Sequence, residues 1–129
     1  MSGETNLDLL LANMRPELSS SSFAFCLVPE AKLGEISLAD IEVLVRETEG
    51  ITLVMEEAQA RRYGFDVAFL FARITLQVHS SLEAVGLTAV VASRLAAQGI
   101  SANVIAGYHH DHIYVAQSDG HRAVAFLRA

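Results

Sequence analysis

The sequence predicts an α+β protein made of two related half-domains, with antiparallel strands and helices segregated to one side. Residues 70–78 alternate cleanly between apolar and polar, the period of a strand. The second half as a whole reads β-α-β-β-α. A motif of helix, Gly-Ile and strand then occurs twice, at Glu49-Gly50-Ile51 and at Gln98-Gly99-Ile100, 49 residues apart. Two copies at that spacing do not make an array. The expected division is residues 1–66 and 67–129, each half small enough to share a core with the other.

Composition narrows the class. Of 129 residues, 52% are hydrophobic and 19% charged, so the chain is expected to fold rather than stay disordered. The net charge is −6, and Arg61-Arg62 is the sole adjacent cationic pair. Binding to nucleic acid needs several cations on one face to displace counterions, so no nucleic-acid partner is expected. No apolar run reaches the length that spans a bilayer and no signal peptide opens the chain; a cytoplasmic protein without a membrane partner is expected. The single cysteine, Cys26, has no intramolecular disulfide partner.

In the first half, Leu7, Leu10, Leu11 and Met14 fall at helical spacing before Pro16, which ends the pattern. The serine-rich stretch from Glu17 to Ser22 reads as a loop. Phe23 to Val28 is apolar throughout, as in a strand covered on both faces, and places Cys26 in the core rather than in a reactive site. Ser37 with Asp40 predicts a helix start, with Ile36 and Ile41 as a staple. Leu38, Ile41, Leu44 and Val45 supply its stripe, and Gly50 suits its C-terminal cap. A strand over Ile51–Met55 and an exposed helix over Glu56–Tyr63, ending at Gly64, complete this half.

In the second half, Ile74, Leu76 and Val78 share one strand face, and Arg73, Thr75, Gln77 and His79 the other. Ser80-Ser81-Leu82-Glu83 is a capping box, with Ser80 as N-cap of a helix running to about Gln98. Its alanines let it lie close to a sheet, and Gly99 caps its end. Strands over Ser101–Tyr108 and His112–Ala116 follow around a short turn. A last helix, capped by Ser118, turns Ala123, Val124 and Leu127 inward.

The run from Val85 to Ser101, with a glycine-containing loop at Gly86, an alanine-rich helix and the Gly99-Ile100 turn, resembles an ACT domain. Together with His79–Gly86 and Ala106–His112 it resembles, more narrowly, a small bacterial family of tandem ACT-like proteins without established activity. The resemblance implies ferredoxin-like βαββαβ units, two in tandem, and effector binding at an interface between units. It also implies a regulatory, non-catalytic module that binds a small amino-acid-like ligand, and a homodimer. The chain departs from the pattern by ending in a helix. The last strand of the second unit is therefore missing, borrowed from a partner, or supplied by residues near Val67 to Phe71.

The candidate ligand site is the loop Ser80, Ser81, Leu82, Val85, Gly86 and Leu87. Unpaired N–H groups at a helix start favour a carboxylate, and Gly86 permits close approach. By the resemblance, carbonyls of Asn103, Val104 and Ile105 would take the ammonium group. The plainer account is that Ser80 caps a helix and Gly86 relieves packing. His109-His110-Asp111-His112 carries metal-ligating side chains, but its spacing fits no standard zinc signature, and only His79 or His121 could complete it. A polar β-turn with Asp111 at a turn position accounts for it better, so no metal and no cofactor is expected. No nucleophile elbow, phosphate loop or dinucleotide fingerprint is present, which leaves no catalytic residue to name. The alternative function is a structural protein whose ACT-like sheet serves oligomerisation and partner docking.

Overall fold

In a computed structural model, residues 6–79, 81 and 84–128 are described. The chain divides into two compact units that are not contiguous in sequence. One takes the residues up to Ser20 together with those from Ala72 onward, and the other takes Ser21–Phe71.

The first unit begins with helix α1 (Leu7–Ala12), whose N-cap Asn6 accepts a hydrogen bond from the Leu9 N–H at 3.2 Å. Pro16 then opens strand β1 (Pro16–Val28). After the second unit the chain returns through β4 (Phe71–Leu76), α3 (Leu87–Ala96), β5 (Asn103–Ala106), β6 (Asp111–Ala116) and α4 (Gly120–Arg128). The strand order is β1-β4-β6-β5. The fourth strand therefore comes from the N-terminal segment; residues 65–70 form no strand. At this junction the Gln77 N–H donates to the Met14 and Arg15 carbonyls at 3.1 and 3.2 Å. The Gln77 side chain donates to Glu17 at 2.9 Å.

The alternation predicted for β4 holds. Ile74, Leu76 and Val78 are buried together with Ile113 and Val115 of β6. Above that face lie Leu10 of α1, Leu87, Val91 and Leu95 of α3, and Ala123, Val124 and Leu127 of α4. These helices all serve one core because each carries its apolar residues on a single stripe. The C-terminus of α3 is closed by the Ile100 N–H donating to the Leu95 carbonyl at 3.0 Å, with Gly99 left-handed at φ +73°. The Gly-Ile turn predicted there is the observed one.

The second unit contains the remainder of β1, two 3₁₀ turns (Glu30–Glu35 and Leu38–Asp40), β2 (Val43–Glu47), β3 (Gly50–Glu56) and α2 (Glu57–Arg62). Strand order is β2-β3-β1, with both pairings antiparallel. Its core is Ala24, Cys26, Val28, Ile51, Leu53, Met55 and Ala60.

Two expectations fail in this part of the chain. The helix predicted from Ser37 is a single 3₁₀ turn followed by β2. Leu44 and Val45 satisfy a helical stripe and a strand alternation equally, and pairing with β3 (Val43↔Val54, Leu44↔Leu53, Val45↔Thr52) selects the strand. Gly50 thus ends a hairpin turn rather than capping a helix, and the internal echo is confined to the glycine and the strand after it. The serine-rich stretch predicted as a loop is strand as well. It becomes the first part of β1 because β4 lies alongside it, and Leu18 packs on the core of the first unit. The helix over Glu57–Arg62 and its left-handed Gly64 agree with the sequence.

Replacing Leu10, which is fully buried, with alanine should cost about 2–5 kcal/mol and lower the denaturant midpoint, showing that α1 belongs to the core. Cys26 is buried, and burial pushes its thiol above the usual range, so little thiolate forms near neutrality. A disulfide reagent should therefore react slowly with native protein and stoichiometrically after unfolding; rapid native labelling would contradict the assigned burial.

Candidate functional site

The candidate site lies in the first unit, where α3 begins over the β5–β6 end of the sheet. Helix α3 starts at Leu87 with Gly86 as its N-cap, later than the start predicted at Ser80. Ser80, Leu82 and Glu83, and with them the predicted capping box, lie outside the described residues. Ser81 is buried, and its carbonyl accepts from the Ala84 N–H at 3.0 Å.

Gly86 explains the late start. Its φ is +100°, a left-handed conformation that breaks a helix, and a Cβ there would lie 3.1 Å from a methyl of Leu7. The Val90 N–H donates back to the Gly86 carbonyl at 3.0 Å and closes the first turn. The N–H groups following Gly86 remain available at the head of the helix.

Beside that helix end is a shallow surface depression, about 150 Å³ with open solvent included and with no enclosed room for a water molecule, lined by Leu76, Leu87, Thr88, Val91, Val104, Asp111 and Ile113. Two of the predicted residues, Leu87 and Val104, meet on its wall. Val104 faces it because the register sets Val104 opposite Ile113, on the same side of the sheet as α3. Asn103 and Ile105 therefore point to the opposite face, where the Asn103 side-chain amide donates to the Tyr114 carbonyl at 3.2 Å. Val85 is exposed and outside the lining. Their backbone groups lie along β5, the edge strand of this unit.

The lining residues that sequence reasoning missed are Thr88 and Asp111. Asp111 reads as a turn residue in the sequence, yet it opens β6 and is 8% exposed, a buried carboxylate in a wall that is otherwise apolar save for Thr88. The signal that could have revealed it is its parity with Ile113 and Val115, both core residues of β6.

The histidines separate into two sets. His112 lies with Thr75, its Nδ1 2.9 Å from the hydroxyl. His79 and His109 meet directly, Nε2 to Nδ1, at 3.1 Å, with ring centroids 4.8 Å apart. Among the described residues, no three His, Cys, Asp or Glu side chains already converge as a metal site.

Gly86→Ala should destabilise the protein by about 1–3 kcal/mol, the usual cost of forcing a side chain into left-handed backbone. Chemical denaturation measures it, and a neutral result would contradict the assigned loop conformation.

Family models for the ACT domain match residues 2–72 and 73–129. Among solved structures, the chain is similar to a Vibrio cholerae protein of unknown function. Identity is 48%, covering 94% of this chain and 92% of that one, at a TM-score of 0.79. An Agrobacterium tumefaciens protein shares the fold at 14% identity and a TM-score of 0.66, covering 87% of this chain and 84% of that one. The ligand-free regulatory subunit of Thermus thermophilus aspartate kinase shares it at 10% identity and a TM-score of 0.59, with 87% and 93% covered. No curated protein matches. With both parts of its length matched, the chain belongs to the ACT-domain family.

Proposed function

We propose that this protein is a non-catalytic regulatory module that binds a small amino-acid-like ligand at the head of α3. The observation that carries the reading is the cleft itself. It sets the free N–H groups after Gly86 and the Thr88 hydroxyl on one side, and the buried Asp111 carboxylate on another. A helix start attracts a carboxylate, and an acidic side chain with strand carbonyls attracts an ammonium group, so the two ends of an amino acid have complementary partners. Leu76, Val91, Val104 and Ile113 make the floor apolar; they are closed against one another in this structure, so a ligand side chain requires the head of α3 to move off the sheet. The ACT family and the shared fold with a kinase regulatory subunit support a regulatory reading.

A second observation favours docking and oligomerisation. One face of the sheet in the second unit presents Phe25, Leu27 and Val45, all exposed. Phe69 stacks against Phe71 at 5.0 Å, and Phe71 against Phe25 at 4.7 Å. An apolar patch of this kind is usually covered by a partner. A cytoplasmic homodimer that buries this face is compatible with ligand binding in the other unit. Leu27→Glu should yield monomers by light scattering if the face is the dimer contact; an unchanged mass would place any self-association elsewhere.

The binding reading is tested by thermal unfolding against a panel of amino acids. A ligand at 100 times its dissociation constant adds about 2.7 kcal/mol, a shift of several degrees at this size. The shift should vanish in Asp111→Ala while far-UV circular dichroism is retained. No shift with any amino acid would overturn the ligand reading and leave docking.

A further inference from the structure

From the meeting of His79 and His109 we infer that the end of β4 and the β5–β6 turn form a clasp for a divalent first-row transition metal. The two imidazoles come from positions 30 residues apart, and the sheet rather than the local sequence brings their nitrogens to 3.1 Å. Two nitrogens bound at about 2.0–2.1 Å to one tetrahedral metal stand roughly 3.3 Å apart. The nitrogens therefore stand at about the separation a metal requires, and both rings must turn so that their lone pairs converge on the ion in place of the shared proton.

His110 is the third ligand. Its ring centroid stands 6.4 Å from those of both His79 and His109, equally far from each. That spacing is too wide for coordination as it stands, which is why no three-ligand set is preassembled. The backbone beneath it is held by the turn. The Gly107 N–H donates to the His110 carbonyl at 2.9 Å, and a Cβ at Gly107 would approach that oxygen to 2.8 Å. Bringing His110 to the ion calls for a change of its side-chain rotamer on that turn. His109 is exposed, and His79 and His110 are half-buried, so water can take the fourth position.

Imidazole suits zinc, nickel, copper and cobalt, whereas magnesium and calcium demand oxygen donors. The chain's net charge of −6 favours any cation. His112, held by Thr75, and His121, on α4, are not members of the clasp. The clasp uses neither Asp111 nor the cleft walls, so it is independent of the proposed amino-acid site.

The test is titration of untagged, metal-free full-length protein with Zn²⁺ and Ni²⁺ by calorimetry, alongside visible absorption with Co²⁺. One ion per chain is expected, with the intense d–d bands of tetrahedral cobalt. His79→Ala and His109→Ala should each weaken binding by on the order of 100-fold, the upper range for losing even an outer-shell partner. His110→Ala should weaken it less, and His121→Ala should bind as the unsubstituted chain does. Absence of saturable binding would overturn the inference. So would equal binding by the His79 and His109 variants, or a stoichiometry of one ion per two chains. Since the variants lie at exposed or half-exposed positions, circular dichroism should be unchanged in all of them.

Discussion

The packing of three helices on one face of β4 and β6 is the constraint from which the rest follows. Ile74, Leu76, Val78, Ile113 and Val115 form an apolar floor, bordered on the same face of β6 by the buried Asp111. Helices α1, α3 and α4 can lie on it because each offers a single apolar stripe. Burying a leucine or isoleucine side chain contributes about 1.5–3 kcal/mol, so this face dominates the stability of the unit. The N-terminal segment is drawn into the same arrangement. Leu10 and Met14 need that floor, and the start of β1 then lies beside β4.

The position of the cleft is a consequence of that packing. With α3 anchored by Leu87, Val91 and Leu95, its first turn must end near the start of β6. Gly86 is left-handed because the chain has to turn beneath Leu7 to enter the helix. The gap between helix end and sheet edge is where the first residues of α3, the Thr88 hydroxyl and the buried Asp111 carboxylate come together. The same strand ends carry the histidines outward. One short hairpin, β5–β6, thus borders the depression on the face beneath α3 and carries at its turn His109, which meets His79 beyond the end of β4.

Much of the second half was legible from residue pattern. The β4 alternation, the Gly99-Ile100 turn and the apolar stripe of α4 are local signals, and tertiary packing agrees with each. The first half was less legible for a physical reason. Leu44 and Val45 carry a pattern that suits both periods, and the capping signal at Ser37 leads into one 3₁₀ turn without a capping hydrogen bond from its side chain. Serines 19–22 carry no strand propensity that could outweigh their loop-like composition. At the site, Leu87 and Val104 could be named from motif and resemblance. Asp111 could be reached only through its parity with Ile113 and Val115, because its residue type suits a turn as well as the start of a strand.

The sequence by itself determined the α+β class, the ACT resemblance, the glycine positions at which the chain turns, and most buried residues of the second half. These depend on periodicity and on backbone preferences that act over a few residues. Only the tertiary structure decided that the N-terminal segment supplies a strand to the distant half, that β2 is a strand, and that His79 reaches His109. Those outcomes depend on which surfaces meet across long separations in the chain, where the free energy comes from burial and pairing rather than from local preference.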